Sequence, residues 1–149
     1  MKFPLIILLL ILSCIPIAKN ISFKKNVPFN EIENINYFKW KNRILIIIDE
    51  ENKITKKIRR FSKEFKERDM LIITVKENNS FINNYLMNDK FYKSVMKKIK
   101  NTNKKHSYIL IGKDGTIKKT YASNTIIDKI LSKVDSMPMR IKEAKKKLI

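Results

Sequence analysis

Ile44-Leu45-Ile46-Ile47-Ile48 is an unbroken apolar run, four of its five residues β-branched, and it leaves no polar face for solvent. Such a run reads as a strand buried on both sides, which requires covering layers above and below its sheet. The next segment obeys a different period. Ile54, Ile58, Phe61 and Phe65 fall at i, i+4, i+7 and i+11, one stripe of a helix whose other faces carry Lys and Glu. Met70 to Val75 returns to a β-rich apolar run. Strand, amphipathic helix, strand is a βαβ unit, so the two strands should pair in parallel through a right-handed crossover.

Beyond this unit the pattern changes to an antiparallel one. An Asn-rich stretch, Glu77 to Ser80 and Asn83-Asn84, reads as a loop. Asn88 or Asp89 can cap the following helix, with Phe91 or Tyr92, Val95, Met96 and Ile99 as its buried stripe. Ser107 to Ile111 predicts a third strand, and Gly112-Lys113-Asp114-Gly115 predicts a hairpin turn, because glycine accepts positive φ without steric penalty. This loop lacks the length and following helix of a phosphate-binding loop. Thr116 to Tyr121 alternates Ile117, Lys119 and Tyr121 with Thr116, Lys118 and Thr120, as suits a lysine-guarded edge strand. Thr125 with Asp128 fits a capping box, opening a helix with Ile126, Ile127, Ile130, Leu131 and Val134 inward. Pro138 breaks or restarts that helix, and a basic tail runs to Ile149. The expected order is β-α-β-α-β-β-α, an α/β domain of thioredoxin-like plan with a four-stranded mixed sheet and flanking helices.

The first residues belong to no core. Lys2 precedes an apolar stretch from Phe3 to Leu12, broken by Pro4 and ended by Ser13, Cys14, Pro16 and Lys19. It falls short of the about 20 apolar residues of a comfortable transmembrane helix and reads as an export signal. One cut would follow Ala18; the other would precede Cys14, where Ile11-Leu12-Ser13-Cys14 resembles a lipobox and the cysteine would be lipidated. The resulting division is 1–19 signal peptide, 20–38 irregular lead-in, 39–138 domain and 139–149 basic C-terminal tail. The expected address is the periplasm or cell envelope, with membrane contact through an uncleaved or lipidated N-terminus.

Charge narrows the partners. Lys and Arg number 33 against 14 Asp and Glu, a formal net charge of +19. Such an excess attracts nucleic acid, anionic lipid, acidic polysaccharide or acidic protein. Yet arginine, the residue suited to bidentate phosphate recognition, occurs at Arg43, Arg59, Arg60, Arg68 and Arg140 only. Aromatics are not interleaved with arginine on the strands, so no specific nucleic-acid role is expected. Much of the lysine excess is expected to be a solvated surface.

Trp40-Lys41-Asn42-Arg43, Glu67-Arg68-Asp69, Ile111-Gly112-Lys113-Asp114-Gly115 and Asp135-Ser136-Met137-Pro138-Met139-Arg140 resemble motifs of the bacterial domain of unknown function 4174 family, over about residues 34 to 145. The resemblance implies a thioredoxin-like domain and brings no established activity, cofactor or catalytic residue with it. In thioredoxin-like enzymes the reactive cysteine stands between the first strand and its helix, where the helix N-terminus stabilises a thiolate. Here that place reads Asp49-Glu50-Glu51-Asn52-Lys53, and Lys105-His106-Ser107 replaces the proline expected before the third strand. The three carboxylates are explained by the helix dipole they oppose.

Cys14 is the sole cysteine and His106 the sole histidine, so neither an internal disulfide nor a zinc knuckle can form. No catalytic, cofactor-binding or metal residue is assigned. The candidate interaction residues are Asp135, Met137, Met139 and Arg140. Either Asp135 and Arg140 pair across the Pro138 bend as a staple, or Arg140 faces outward beside the methionines and meets an anionic group. Trp40, the one tryptophan, is expected to pack on the core. The expectation for function is an exported, non-redox binding or adaptor module for an unidentified protein or anionic surface. The alternative is a thiol-dependent peroxiredoxin- or reductase-like enzyme using Cys14.

Overall fold

A computed structural model describes residues 27–50, 53–102 and 107–146. The leader, with the lipidation site considered at Cys14, and His106 lie outside the described residues. The described chain is an α/β structure on one mixed sheet of six strands, in the order β4-β3-β2-β1-β5-β6. Its strands are β1 (Arg43–Ile48), β2 (Met70–Lys76), β3 (Asn79–Ile82), β4 (Tyr85–Leu86), β5 (Tyr108–Ile111) and β6 (Ile117–Tyr121). The helices are α1 (Lys53–Ile58), α2 (Ser62–Glu67), α3 (Asp89–Ile99), α4 (Ile127–Asp135) and α5 (Pro138–Lys146).

β1 is the centre of the sheet. It pairs in parallel with β2, Ile44 opposite Leu71, and antiparallel with β5, Ile44 opposite Ile111. Alternate residues of β1 enter two separate cores. Ile44 and Ile46 join Ile73, Val75, Ile82, Ile109 and Ile111 beneath Phe91, Val95 and Ile99 of α3. Leu45 and Ile47 meet Ile58, Phe65, Tyr108, Ile127, Ile130 and Val134 on the other face. Each such fully buried aliphatic side chain stabilises the fold by roughly 1.5–3 kcal/mol. Both faces of β1 are therefore closed, as its sequence demands. Among the described residues no helix is long and apolar enough to cross a membrane.

The sheet has six strands, not four. The two extra strands occupy the Asn-rich stretch read as a loop. Glu77-Asn78 links β2 to β3 and Asn83-Asn84 links β3 to β4, each a two-residue connection. All four residues have positive φ, between 49° and 71°. That is the backbone of a type I′ hairpin turn, and asparagine tolerates it better than most residues.

The stripe over 54–65 forms α1 and α2, joined by a 3₁₀ turn at Arg59–Phe61, with Ile58 and Phe65 buried. Asn88 caps α3 by accepting from Phe91 N at 2.9 Å. Its amide also donates to Asn30 O and Ile32 O, which ties the lead-in to the domain. Within that lead-in Ile32, Ile35 and Phe38 are buried against α3 and the sheet. Met96, expected inside, is on the exposed side of α3.

Two further expectations change at the C-terminal end. The Thr125–Asp128 capping box does not form: Thr125 N bonds Ala122 O, α4 begins at Ile127 without a side-chain cap, and Ile126 is exposed. The stretch read as a basic tail is helical from Pro138 to Lys146. Proline suits the first position of a helix, where its missing N–H has no partner to lose.

Candidate functional site

The loop before β1 sets the position of the site. The Ile35–Phe38 3₁₀ turn ends with Lys41 N and Asn42 N both donating to Phe38 O, at 3.0 and 2.9 Å. This tight closure forces Trp40 to φ 64°, a left-handed conformation that is an outlier for a bulky residue. Trp40 N donates to Lys113 O at 2.6 Å, fixing the loop to the β5–β6 hairpin. The indole is not packed into the core as expected; it is 62% exposed. A side chain of that size, left in solvent on a strained backbone, contributes little burial.

Beside it lies a dense charge network. Arg43, the first residue of β1, is 1% exposed and donates through Nη1 to Arg68 O at 2.9 Å and Glu143 Oε2 at 3.0 Å. Lys113 Nζ holds Asp69 Oδ2 and Glu143 Oε1, both at 2.8 Å. Arg68 grips Asp135 through two bonds, Nε to Oδ1 at 2.9 Å and Nη2 to Oδ2 at 2.7 Å. Arg140 Nε reaches the same carboxylate at 3.3 Å and its Nη1 donates to Glu67 O at 3.1 Å.

Burial pushes the Asp135 carboxyl up, but the bonds from Arg68 and Arg140 outweigh it and hold its pKa below the ordinary value. Glu143 behaves likewise, burial being overcome by Arg43 and Lys113. Lys113 is correspondingly raised: burial lowers it, and Asp69 and Glu143 more than compensate. Asp114, bonded by Lys118 and Thr116, is lowered to about 2.

All four sequence motifs thus meet at one corner of the sheet. Asp135 and Arg140 do pair, but the main partner of Asp135 is Arg68, 67 residues away in sequence. Arg140 turns into the network, while Met137 and Met139 face a neighbouring groove. Arg43 enters the sequence reading only as an arginine and within its motif, and Glu143 not at all. Their signal was a charged residue opening an otherwise apolar strand and an acid placed one turn into a lysine-rich helix.

The groove, about 580 Å³, runs between the β5–β6 hairpin and the α4–α5 corner. Trp40, Met137, Pro138 and Met139 give it apolar walls, Arg43 lies among its lining residues, and Lys113, Lys118, Lys133 and Lys142 surround it. Asp114 is its one acidic lining residue, and Lys118 pairs with it at 2.6 Å. Gly112 makes room for that pair: a Cβ there would meet Lys118 Cε at 2.5 Å and Asp114 Oδ1 at 2.7 Å. Lys133 and Lys142 form no ion pair among the described residues.

Asp49 directly follows β1. It is buried and accepts from Thr55 N and Thr55 Oγ1, both at 2.7 Å, so it orders the start of α1. Among the described residues no three His, Cys, Asp or Glu side chains are grouped so as to hold a metal ion.

Neither the curated proteins nor the solved structures include a significant match to this chain. A family model described as Domain of unknown function (DUF4174) does match, over residues 34–143, the span that holds Trp40, the charge network and the groove, and the chain belongs to that family.

Proposed function

We propose that this protein is an exported binding module of thioredoxin-like build, without thiol chemistry, that holds an anionic partner in the Trp40 groove. The single observation that carries the binding reading is Trp40 itself, exposed at φ 64° on the rim of a lysine-lined groove. Strained backbone at a large exposed aromatic is the kind of feature that clusters at functional sites.

One line supports the thioredoxin-like build and a second supports the absence of thiol chemistry. Without the β3–β4 hairpin, the strands stand in the order β2-β1-β5-β6, and the remaining elements follow the βαβαββα plan with the first helix divided into α1 and α2 and with α5 added after the last. Asp49 in the nucleophile's place, with the lone cysteine far upstream in the leader, supports a silent module over an enzyme. Export rests on the Lys2 to Ala18 signal pattern.

The test uses the full chain as bait in a cell-envelope extract at near-physiological salt. A defined partner should be retained, and Trp40→Ala should lose it while circular dichroism stays unchanged. Retention that ignores Trp40, or that is found only below physiological salt, rejects the groove as the binding face. A peroxidase activity abolished by Cys14→Ser would instead establish the thiol enzyme. Fractionation of cells should find the protein in the envelope; a cytoplasmic pool alone would sink the export reading.

A further inference from the structure

Resting on that binding role, we propose that the groove recognises a short acidic–apolar peptide segment of its partner, alternating carboxylates with aliphatic side chains. Three independent features converge on a carboxylate. The first is Arg43, buried among the lining residues: Nη1 is committed to Arg68 O and Glu143, whereas Nη2 is buried with no acceptor. A buried guanidinium with an unused N–H group favours an anion in the groove beside it through its charge. The second is the start of α5, where Ser136 to Met139 form one wall. That nine-residue helix has no acidic side chain in its first turn, and the Asp135 carboxylate just ahead of it is engaged by Arg68 and Arg140. The third is the pair Lys133 and Lys142, which make no ion pair among the described residues and sit on the groove.

The apolar half of the site selects against a bare ion. Trp40, Met137, Pro138 and Met139 offer an aromatic face and adaptable thioethers that an inorganic anion cannot use. Nucleic acid fits poorly, because Arg68 and Arg140 are occupied with internal acceptors, Arg43 is buried, and a single aromatic offers no stacking series. A membrane surface would need a broad apolar or basic face, whereas this site is a groove bounded by a hairpin and a helix corner. The carboxylate of one peptide residue would sit at the start of α5, its aliphatic neighbour against Trp40 and Met139, and a further carboxylate between Lys133 and Lys142.

Trp40 is the only tryptophan and serves as its own probe. The full chain is titrated, at near-physiological salt, with a blocked five-residue peptide alternating glutamate and leucine. Parallel titrations use the glutamine-for-glutamate peptide, inorganic phosphate, and vesicles containing anionic phosphatidylglycerol. The glutamate peptide should change Trp40 emission saturably and bind at least about tenfold more tightly than the glutamine peptide. Substituting Lys133→Gln and Lys142→Gln together, at exposed positions, should weaken it by about tenfold with circular dichroism unchanged.

An equal response to the glutamine peptide, or an undiminished one in the double variant, overturns the proposal. Phosphate or vesicles matching the glutamate peptide also overturn it, reassigning the groove to bare anions or to a membrane. If the peptide is silent but partner capture still requires Trp40, only the peptide chemistry fails. If capture ignores Trp40 as well, the binding role fails with it.

Discussion

Among the described residues other than glycine, left-handed backbone occurs in two regions, and the residues that bear it differ. In the β2–β3–β4 hairpins it falls on Glu77, Asn78, Asn83 and Asn84, mostly asparagine, the residue that adopts it most readily after glycine. At the opposite corner it falls on Trp40 and Asp69. The hairpins are shaped by residues that suit their conformation. The corner holds a conformation its tryptophan resists, and surrounds it with ion pairs and the Trp40 N to Lys113 O bond. A turn whose residues match its geometry needs no further explanation, whereas an exposed tryptophan held against its preference points to a task other than stability.

The sharpest way to break this contrast is to remove the charge that holds the corner. Arg43→Ala takes the donor away from Arg68 O and leaves Glu143 with Lys113 as its remaining partner in the network. It should lower unfolding free energy by about 3–5 kcal/mol, read by urea titration. A loss within about 0.5 kcal/mol would mean that the corner does not depend on this charge.

Acid should attack the same corner next. Asp135, Glu143 and Asp114 all have pKa values lowered in the folded state, from ordinary values of 3.8, 4.5 and 3.8. Their contribution is fully present above the unfolded values and is lost as pH falls through the folded ones, which for Asp114 is about 2. Melting temperature should therefore drop as pH is taken from about 5 to about 2, and drop less in Asp135→Asn. A parallel fall in that variant would move the acid sensitivity elsewhere.

Trp40→Asn tests the other side of the argument. It replaces a strained aromatic with a residue that accepts positive φ, and should raise stability by about 1 kcal/mol while weakening partner binding. A loss of stability instead would show that the indole contributes packing despite its exposure. The smallest effect belongs to the hairpin: Asn84→Gly, at φ 71°, should shift stability by no more than about 0.5 kcal/mol. A large change there would erase the distinction between the two regions.

The same contrast explains what could be read in the amino-acid order. β1, β2, α3 and the Gly112–Gly115 turn follow from local periodicity, capping and glycine placement, all confined to a few neighbouring residues. The two asparagine turns used the same local chemistry but were missed, because Glu77-Asn78 and Asn83-Asn84 contain no glycine and flank a strand of only four residues. The corner was only partly legible. Its motifs could be named, but the pairing of Asp135 with Arg68 and of Glu143 with Arg43 joins residues far apart in sequence. Trp40 was misplaced for a related reason: tryptophan usually goes inward, and nothing in Lys39-Trp40-Lys41 signals the backbone inversion that turns it out.

The position of β1 also bears on the order in which the molecule is assembled. β2 reaches β1 through one short crossover, but β5 follows only after β3, β4 and α3, so Ile44 waits for Ile111 from the last third of the chain. Loop closure over that distance is entropically slow compared with hairpins that close in microseconds. Until β5 arrives, one edge of an isoleucine-rich strand stands open. The interval between making β2 and docking β5 is when this chain is most prone to associate with copies of itself, and refolding yield should fall with protein concentration over that interval.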